Sequence, residues 1–217
     1  MLVKDYMTRH PLMAEPAMPI VEAQRYMGEN NIRHLPVVGD GKRLLGLVTR
    51  QSLLVDPGRL GSLNVWEIAR TLGSLTVRDV MIKAKEIVTV RQDTTIEEAA
   101  RIMIENRIGC LLVLEAGVVV GIITEIDLLA RLMEMMATQT PGVRVTVRMS
   151  NVKGELARLV GAIGAQGWGI AALGGAPTPK EPAKWDAVVK IRYVSQDRVT
   201  AALEQIEGQE IVDVREV

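Results

Sequence analysis

The chain repeats itself, and that constrains its fold more than any other feature. The stretch "VKDYM" (residues 3–7) returns as "VRDVM" (77–81). Likewise "IVEAQRYMGENNIRHLPVV" (20–38) returns as "IEEAARIMIENRIGCLLVL" (96–114). Gly46 and Thr49 of "GLVTRQS" return as Gly121 and Thr124 of "GIITEID". The offset stays near roughly 75 residues throughout, longer than the periods of solenoid repeats, so it points to one small domain duplicated in tandem.

Each unit reads as an α/β module. In the second, Ile96, Ala99, Ala100 and Met103 recur at helical spacing, and Thr94 with Glu97 has the spacing of a capping box. "CLLVLEAGVVVGIIT" then reads as two buried strands around an Ala-Gly turn, and "EIDLLARLMEMMA" as a closing helix. In the first unit Pro19 opens the helix, "LPVV" and "LLGLV" are the strands, and "GDGK" is the turn. These readings give repeat 1 at residues 1–56, a linker helix at 57–76 and repeat 2 at 77–138.

After "TQTPG" the pattern changes, and a separate domain is expected over 143–217. "VRVTVRM" alternates strictly, the mark of a half-buried strand. "GELARLVGAIGAQG" is helical, "GIAALGG" and "DAVVKIRYV" are strands around the loop "APTPKEPAK", "DRVTAALEQIEG" is a helix ended by Gly208, and "EIVDV" is a last strand. The order β-α-β-β-α-β is that of a ferredoxin-like unit.

Composition narrows the function. Lys+Arg and Asp+Glu balance at 26 each, which argues against a nucleic-acid or membrane-surface partner. Glu125, Asp127, Arg131 and Glu134 interrupt the most apolar stretch, so no membrane span is expected. The N-terminus does not read as a signal peptide, and Cys110 is the single cysteine, best read as a small buried apolar residue. A cytoplasmic location is expected. His10 and His34 have no metal spacing, and no nucleophile, Walker loop or GxGxxG occurs, so no catalytic or metal site is expected.

The duplicated units resemble CBS domains, which pair as Bateman modules, and the tail resembles an ACT domain through "NVKGEL", where Asn151, Gly154 and Leu156 match the family's turn. The order is similar to that of the acetoin-utilisation regulatory proteins. The resemblance implies an α/β (α+β) chain: a CBS pair plus a ferredoxin-like βαββαβ ACT domain. It implies an adenosine nucleotide of the AMP, ADP or ATP class as regulatory ligand, with no cofactor and no enzymatic activity.

CBS pairs of this kind carry Gly-h-h-Thr/Ser-x-x-Asp, with h apolar, in which Thr and Asp hold the ribose. Gly121, Ile122, Ile123, Thr124 and Asp127 match in full. Gly46 and Thr49 match, but Ser52 replaces the carboxylate, so Thr49 and Ser52 are expected to form a weaker second site. A carboxylate accepts from both hydroxyls of a vicinal diol, where serine offers one neutral bond. An isolated Thr-x-x-Asp reads first as a helix start favoured by the dipole, but inside the duplicated unit Thr124 and Asp127 read as ligand-binding. By the same resemblance Arg33 and His34 should reach the phosphate of the nucleotide held by Thr124 and Asp127; their counterparts, Gly109 and Cys110, carry no charge. Arg50, Lys42 and Arg43 read as solvated surface, and "EIVTV" (86–90) as an edge that could line the base.

In the tail, Asn151, Gly154, Glu155, Leu156 and Ile170 are the candidate site for an amino-acid effector, although Gly169 stands where the family often has Asn. An ACT unit used only to dimerise is the other reading. The combined expectation is a homodimeric ligand-sensing regulator of an unknown protein. The runner-up is a dimeric amino-acid-sensing scaffold with a structural CBS pair.

Overall fold

A computed structural model describes residues 1–53 and 74–217. Most of the expected linker helix at 57–76 lies outside the described residues. Two compact units divide the chain, Met1–Leu128 and Leu129–Val217.

The first unit holds the two repeats. Helices α1 (Val3–Tyr6) and α2 (Ile20–Glu29) and strands β1 (Thr8–Arg9), β2 (His34–Val38) and β3 (Leu44–Thr49) come from the first. From the second come α3 (Val77–Val80), β4 (Ile82–Lys83), β5 (Thr89–Val90), α4 (Ile96–Asn106), β6 (Cys110–Glu115), β7 (Val118–Thr124) and the start of α5 (Glu125–Met135). Helix α2 buries Ile20, Ala23 and Met27, and α4 buries Ile96, Ala99 and Met103, so one apolar stripe fixes each helix on its sheet. The α4 cap is Thr95, which accepts from Glu98 N at 3.2 Å, rather than Thr94. Thr94 instead accepts from Arg91 N in the preceding turn, so the capping-box spacing was one residue out of phase with the helix.

The cores do not follow chain order. Strand β1 pairs with β7, Thr8 opposite Ile122, and β4 pairs with β3, Leu47 opposite Ile82. Val3 and Met7 pack into the core of the second repeat, while Val77, and Met81 at its margin, pack into that of the first. Equivalent backbone bonds anchor the two arms, Val3 N to Thr94 O and Val77 N to Met18 O, each 2.8 Å. A third apolar cluster, Leu47, Cys110, Leu112 and Ile122, joins the two sheets. Each repeat therefore completes the other.

The crossing arms explain the repeated glycines. A Cβ on Gly46 would lie 2.5 Å from Met81 Sδ and 2.7 Å from the Ile82 carbonyl oxygen. A Cβ on Gly121 would fall on Met7 Sδ. Both glycines leave room for a methionine of the exchanged arm.

In the second unit, β8 (Val143–Ser150), α6 (Glu155–Ala165), β9 (Gly169–Thr178), β10 (Glu181–Arg192), α7 (Gln196–Leu203) and β11 (Glu210–Glu216) follow in order. The antiparallel sheet runs β11-β8-β10-β9, so β10 splits the β8-α6-β9 crossover, the ferredoxin-like arrangement. Val143, Val145, Val147 and Met149 face Leu159, Ile163, Val199 and Leu203 in one core. The expected loop "APTPKEPAK" is mostly strand, with β9 and β10 joined through Pro179 and Lys180. Side chains extend the hairpin: Asp186 accepts from Thr178 Oγ1 at 2.8 Å and pairs with Arg148, and Trp185 lies over Gly175, where no Cβ would fit. The last helix stops at Leu203, and Gly208 serves a later turn at φ +78°.

Gly46→Ala should destabilise the fold by about 1–3 kcal/mol, because backbone blocks the added methyl. Gly121→Ala should cost less, since a flexible methionine can move. Gly161→Ala, in open space within α6, should stabilise by about 1 kcal/mol. Urea unfolding of the three variants checks the order.

Candidate functional site

Strand β7 alternates, and its alternation decides what reaches solvent. Ile123 points into the core and is fully buried. Ile122 and Thr124 line a cavity of about 580 Å³ on the other side. The strand then runs straight into α5. There Asp127 Oδ2 accepts from both the backbone N and the Oγ1 of Thr124, each at 2.8 Å. This is a capping interaction, and it recurs where Asp79 Oδ2 accepts from Thr76 N and Oγ1 on an exposed helix. The cap alone therefore marks no site. At Asp127, however, the second oxygen, Oδ1, has no protein partner among the described residues, and the residue lines the cavity.

The first repeat builds the same turn with one oxygen fewer. Ser52 Oγ accepts from Thr49 N at 3.0 Å and donates to Thr49 O at 3.1 Å. Its hydroxyl is used up by the turn.

Arg33 and His34 sit where β2 begins, and they line the same cavity as Thr124 and Asp127. Thr8, Pro11 and Leu12 of the N-terminal arm form another wall, with Arg50 and Ile126 nearby. A second cavity of about 390 Å³ lies around Thr49 and also borders Arg33, His34 and Arg50, adding Arg107, Ile87 and Cys110. Arg33 and His34 are thus shared by both cavities, not assigned to one. Glu86, Ile87 and Val88 of "EIVTV" line the Thr49 cavity. Gly121 and Ile123 are not among the residues lining the larger cavity, because one lies beneath Met7 and the other faces the core.

Arg33 Nη2 stands 3.1 Å from Glu125 Oε1 in an ion pair between the repeats. Burial and, next, the charge of Arg33 hold the His34 imidazole below its ordinary pKa, with Glu125 opposing. Burial, helped by Glu125, pushes the Cys110 thiol up to about 12, so it stays protonated and unreactive.

The sequence reading missed Thr8, Pro11 and Leu12, and took Arg50 for plain surface. The repeat held the signal, since its offsets of 74 before this stretch and 76 after it carry Pro11 and Leu12 into residues 85–88, of which Glu86, Ile87 and Val88 line the other cavity.

In the C-terminal unit the candidate effector residues do different work. Leu156 and Ile170 pack against the core. The Asn151 side chain donates to Pro182 O at 3.4 Å, away from the helix start. Gly154 turns the chain at φ +95°, and the first-turn carboxylate of Glu155 accepts from Gln209 and Arg158. Those two bonds, with Gln209 the larger influence, hold the Glu155 carboxyl below its usual pKa.

A family model described as CBS domain matches residues 3–55 and 70–134. The chain belongs to the CBS-domain family. It is similar to an uncharacterized protein of Methanocaldococcus jannaschii, 31% identical over 129 residues, 59% of this chain and 46% of that protein. The chain thus spans less than half the length of that relative. Among solved structures it resembles a candidate acetoin utilization protein (AcuB) from Vibrio cholerae, with 29% identity, a TM-score of 0.52, and 64% of this chain and 95% of that one covered. It also resembles CBSX2 of Arabidopsis thaliana, solved in complex with AMP, with 29% identity, a TM-score of 0.51, and coverage of 61% and 96%. These matches fall short of the whole chain. Among the described residues no helix is long and apolar enough to cross a membrane.

The CBS pair should be sensitive to mild acid through His34. Its folded pKa lies below the unfolded value of 6.5, so the unfolded chain takes up a proton first. The stability this group contributes is complete above 6.5 and declines as pH falls through that value. Urea unfolding between about pH 8 and pH 5 should lose stability more steeply in the wild type than in His34→Asn.

Proposed function

We propose that the chain is a cytoplasmic ligand-sensing regulator whose CBS pair binds one adenosine nucleotide in the larger cavity. One observation carries this reading. Asp127 caps its helix start with one oxygen, the other has no protein partner among the described residues, and the residue lines a cavity that Arg33 and His34 share. A ribose diol needs such an acceptor, and a phosphate needs the Arg33 guanidinium, beside which the imidazole of His34, held below its ordinary pKa, offers a neutral N–H donor. The cavity volume suits a small ligand. CBSX2, solved with AMP, supports the adenosine class. The Thr49 cavity is the weaker nucleotide site, because Ser52 spends its hydroxyl on the turn, carries no second oxygen and is not among the residues lining that cavity.

Substitution at position 127 separates ligand from cap. Asp127→Ser imitates Ser52, so it keeps the turn and deletes the extra oxygen. It should lose about 1.5–3 kcal/mol of AMP binding, nearly as much as Asp127→Ala. Only the alanine variant should also lose about 1 kcal/mol of stability. Arg33→Ala should weaken AMP and spare adenosine. Calorimetry and urea unfolding read the two effects. Ser52→Ala weakening AMP more than Asp127→Ala would reverse the assignment of the sites.

The C-terminal unit serves, in this reading, as an ACT domain that pairs two copies of the chain rather than capturing an amino acid. The carboxylate of Glu155, held by Gln209 and Arg158, already sits in the first turn of the helix where an effector's carboxylate would dock. CBS pairs also associate with one another, so residues 1–142 should remain dimeric in sedimentation. A monomeric truncation would move the whole dimer contact to the C-terminal unit.

A further inference from the structure

The residue after the motif threonine differs in sign between the repeats. Arg50 follows Thr49, and Glu125 follows Thr124. Both start from equivalent backbone positions, with Arg50 N donating to Arg33 O at 3.2 Å and Glu125 N to Gly109 O at 3.1 Å. Arg50 brings a guanidinium to the rims of both cavities. Glu125 instead lays its carboxylate against Arg33 and in ordinary contact with the space a Gly109 Cβ would fill, 3.5 Å away.

That ion pair does little for the fold. Its side chains are 46% and 51% exposed, and pairs so well solvated add almost nothing to stability. It holds the guanidinium that faces both cavities, so its consequence is for ligands. Glu125 itself is not among the residues lining either cavity, so it acts through Arg33: an incoming phosphate must share Arg33 with Glu125 or displace it, and each further phosphate asks for positive charge that Glu125 already neutralises in part.

We propose that Glu125 is an internal counter-anion that sets the ligand charge the larger cavity accepts, favouring an adenosine monophosphate over a polyphosphate. This rests on the nucleotide reading above. It makes Glu125 a specificity-determining residue that acts through Arg33.

Calorimetry of the intact wild type and Glu125→Gln with adenosine, AMP, ATP and inorganic tripolyphosphate tests it. The variant should fold and melt like the wild type. Adenosine affinity should stay within about twofold, AMP should gain about threefold, and ATP and tripolyphosphate about tenfold, with the gains shrinking at high salt. An ATP-to-AMP affinity ratio unchanged by the substitution, with AMP still bound, would overturn the proposal and leave the nucleotide reading standing. Failure of adenosine and AMP to bind either protein, alongside a tenfold gain for tripolyphosphate, would remove the nucleotide reading and leave charge selection by Glu125 in place. No gain for any anion overturns the proposal outright.

Discussion

The exchange of N-terminal arms is the contact on which the first unit depends. Val3 and Met7 finish one core, and Val77 and Met81 finish the other. Neither repeat owns a complete apolar interior, so the pair is one folding unit rather than two beads. The same exchange builds the clefts. Thr8, Pro11 and Leu12 reach the cavity of Asp127, while Ile82, Glu86 and Ile87 reach that of Thr49. Gly46 and Gly121 permit the exchange because a strand surface without Cβ lets a methionine lie flat on it.

On this nearly symmetric frame, a few side chains break the symmetry. Ser52 stands at the position of Asp127, Gly109 at that of Arg33, and Glu125 at that of Arg50. The most consequential difference is a count of oxygens. The turn after each strand needs one acceptor for the threonine backbone N–H, and serine and aspartate both supply it. Only aspartate then has an oxygen left. Asp127 can therefore hold a helix and meet a ligand without trading one task for the other.

The second unit shows how local sequence and tertiary contact can disagree. Its strands, helices and their order follow from the period of the apolar residues, as in "VRVTVRM". The Pro- and Lys-rich stretch after Gly175 has every local mark of a loop. Arg148, Asp186 and Thr178 nevertheless join across strands far apart in sequence, and that network carries the hairpin through it.

By itself the sequence determined the duplication, the strand and helix periods, the βαββαβ tail, the burial of Cys110 and the singular status of Asp127. All of these depend on residue type and short spacing, which one chain displays directly. Tertiary structure decided the exchange of arms, the sharing of Arg33 and His34 between two cavities, the pairing of Arg33 with Glu125 and the bond from Gln209 to Glu155. Each of these joins residues from distant parts of the chain or depends on which way a side chain turns. Spacing carries no record of either, because folding brings the groups together only when apolar burial has fixed the backbone around them.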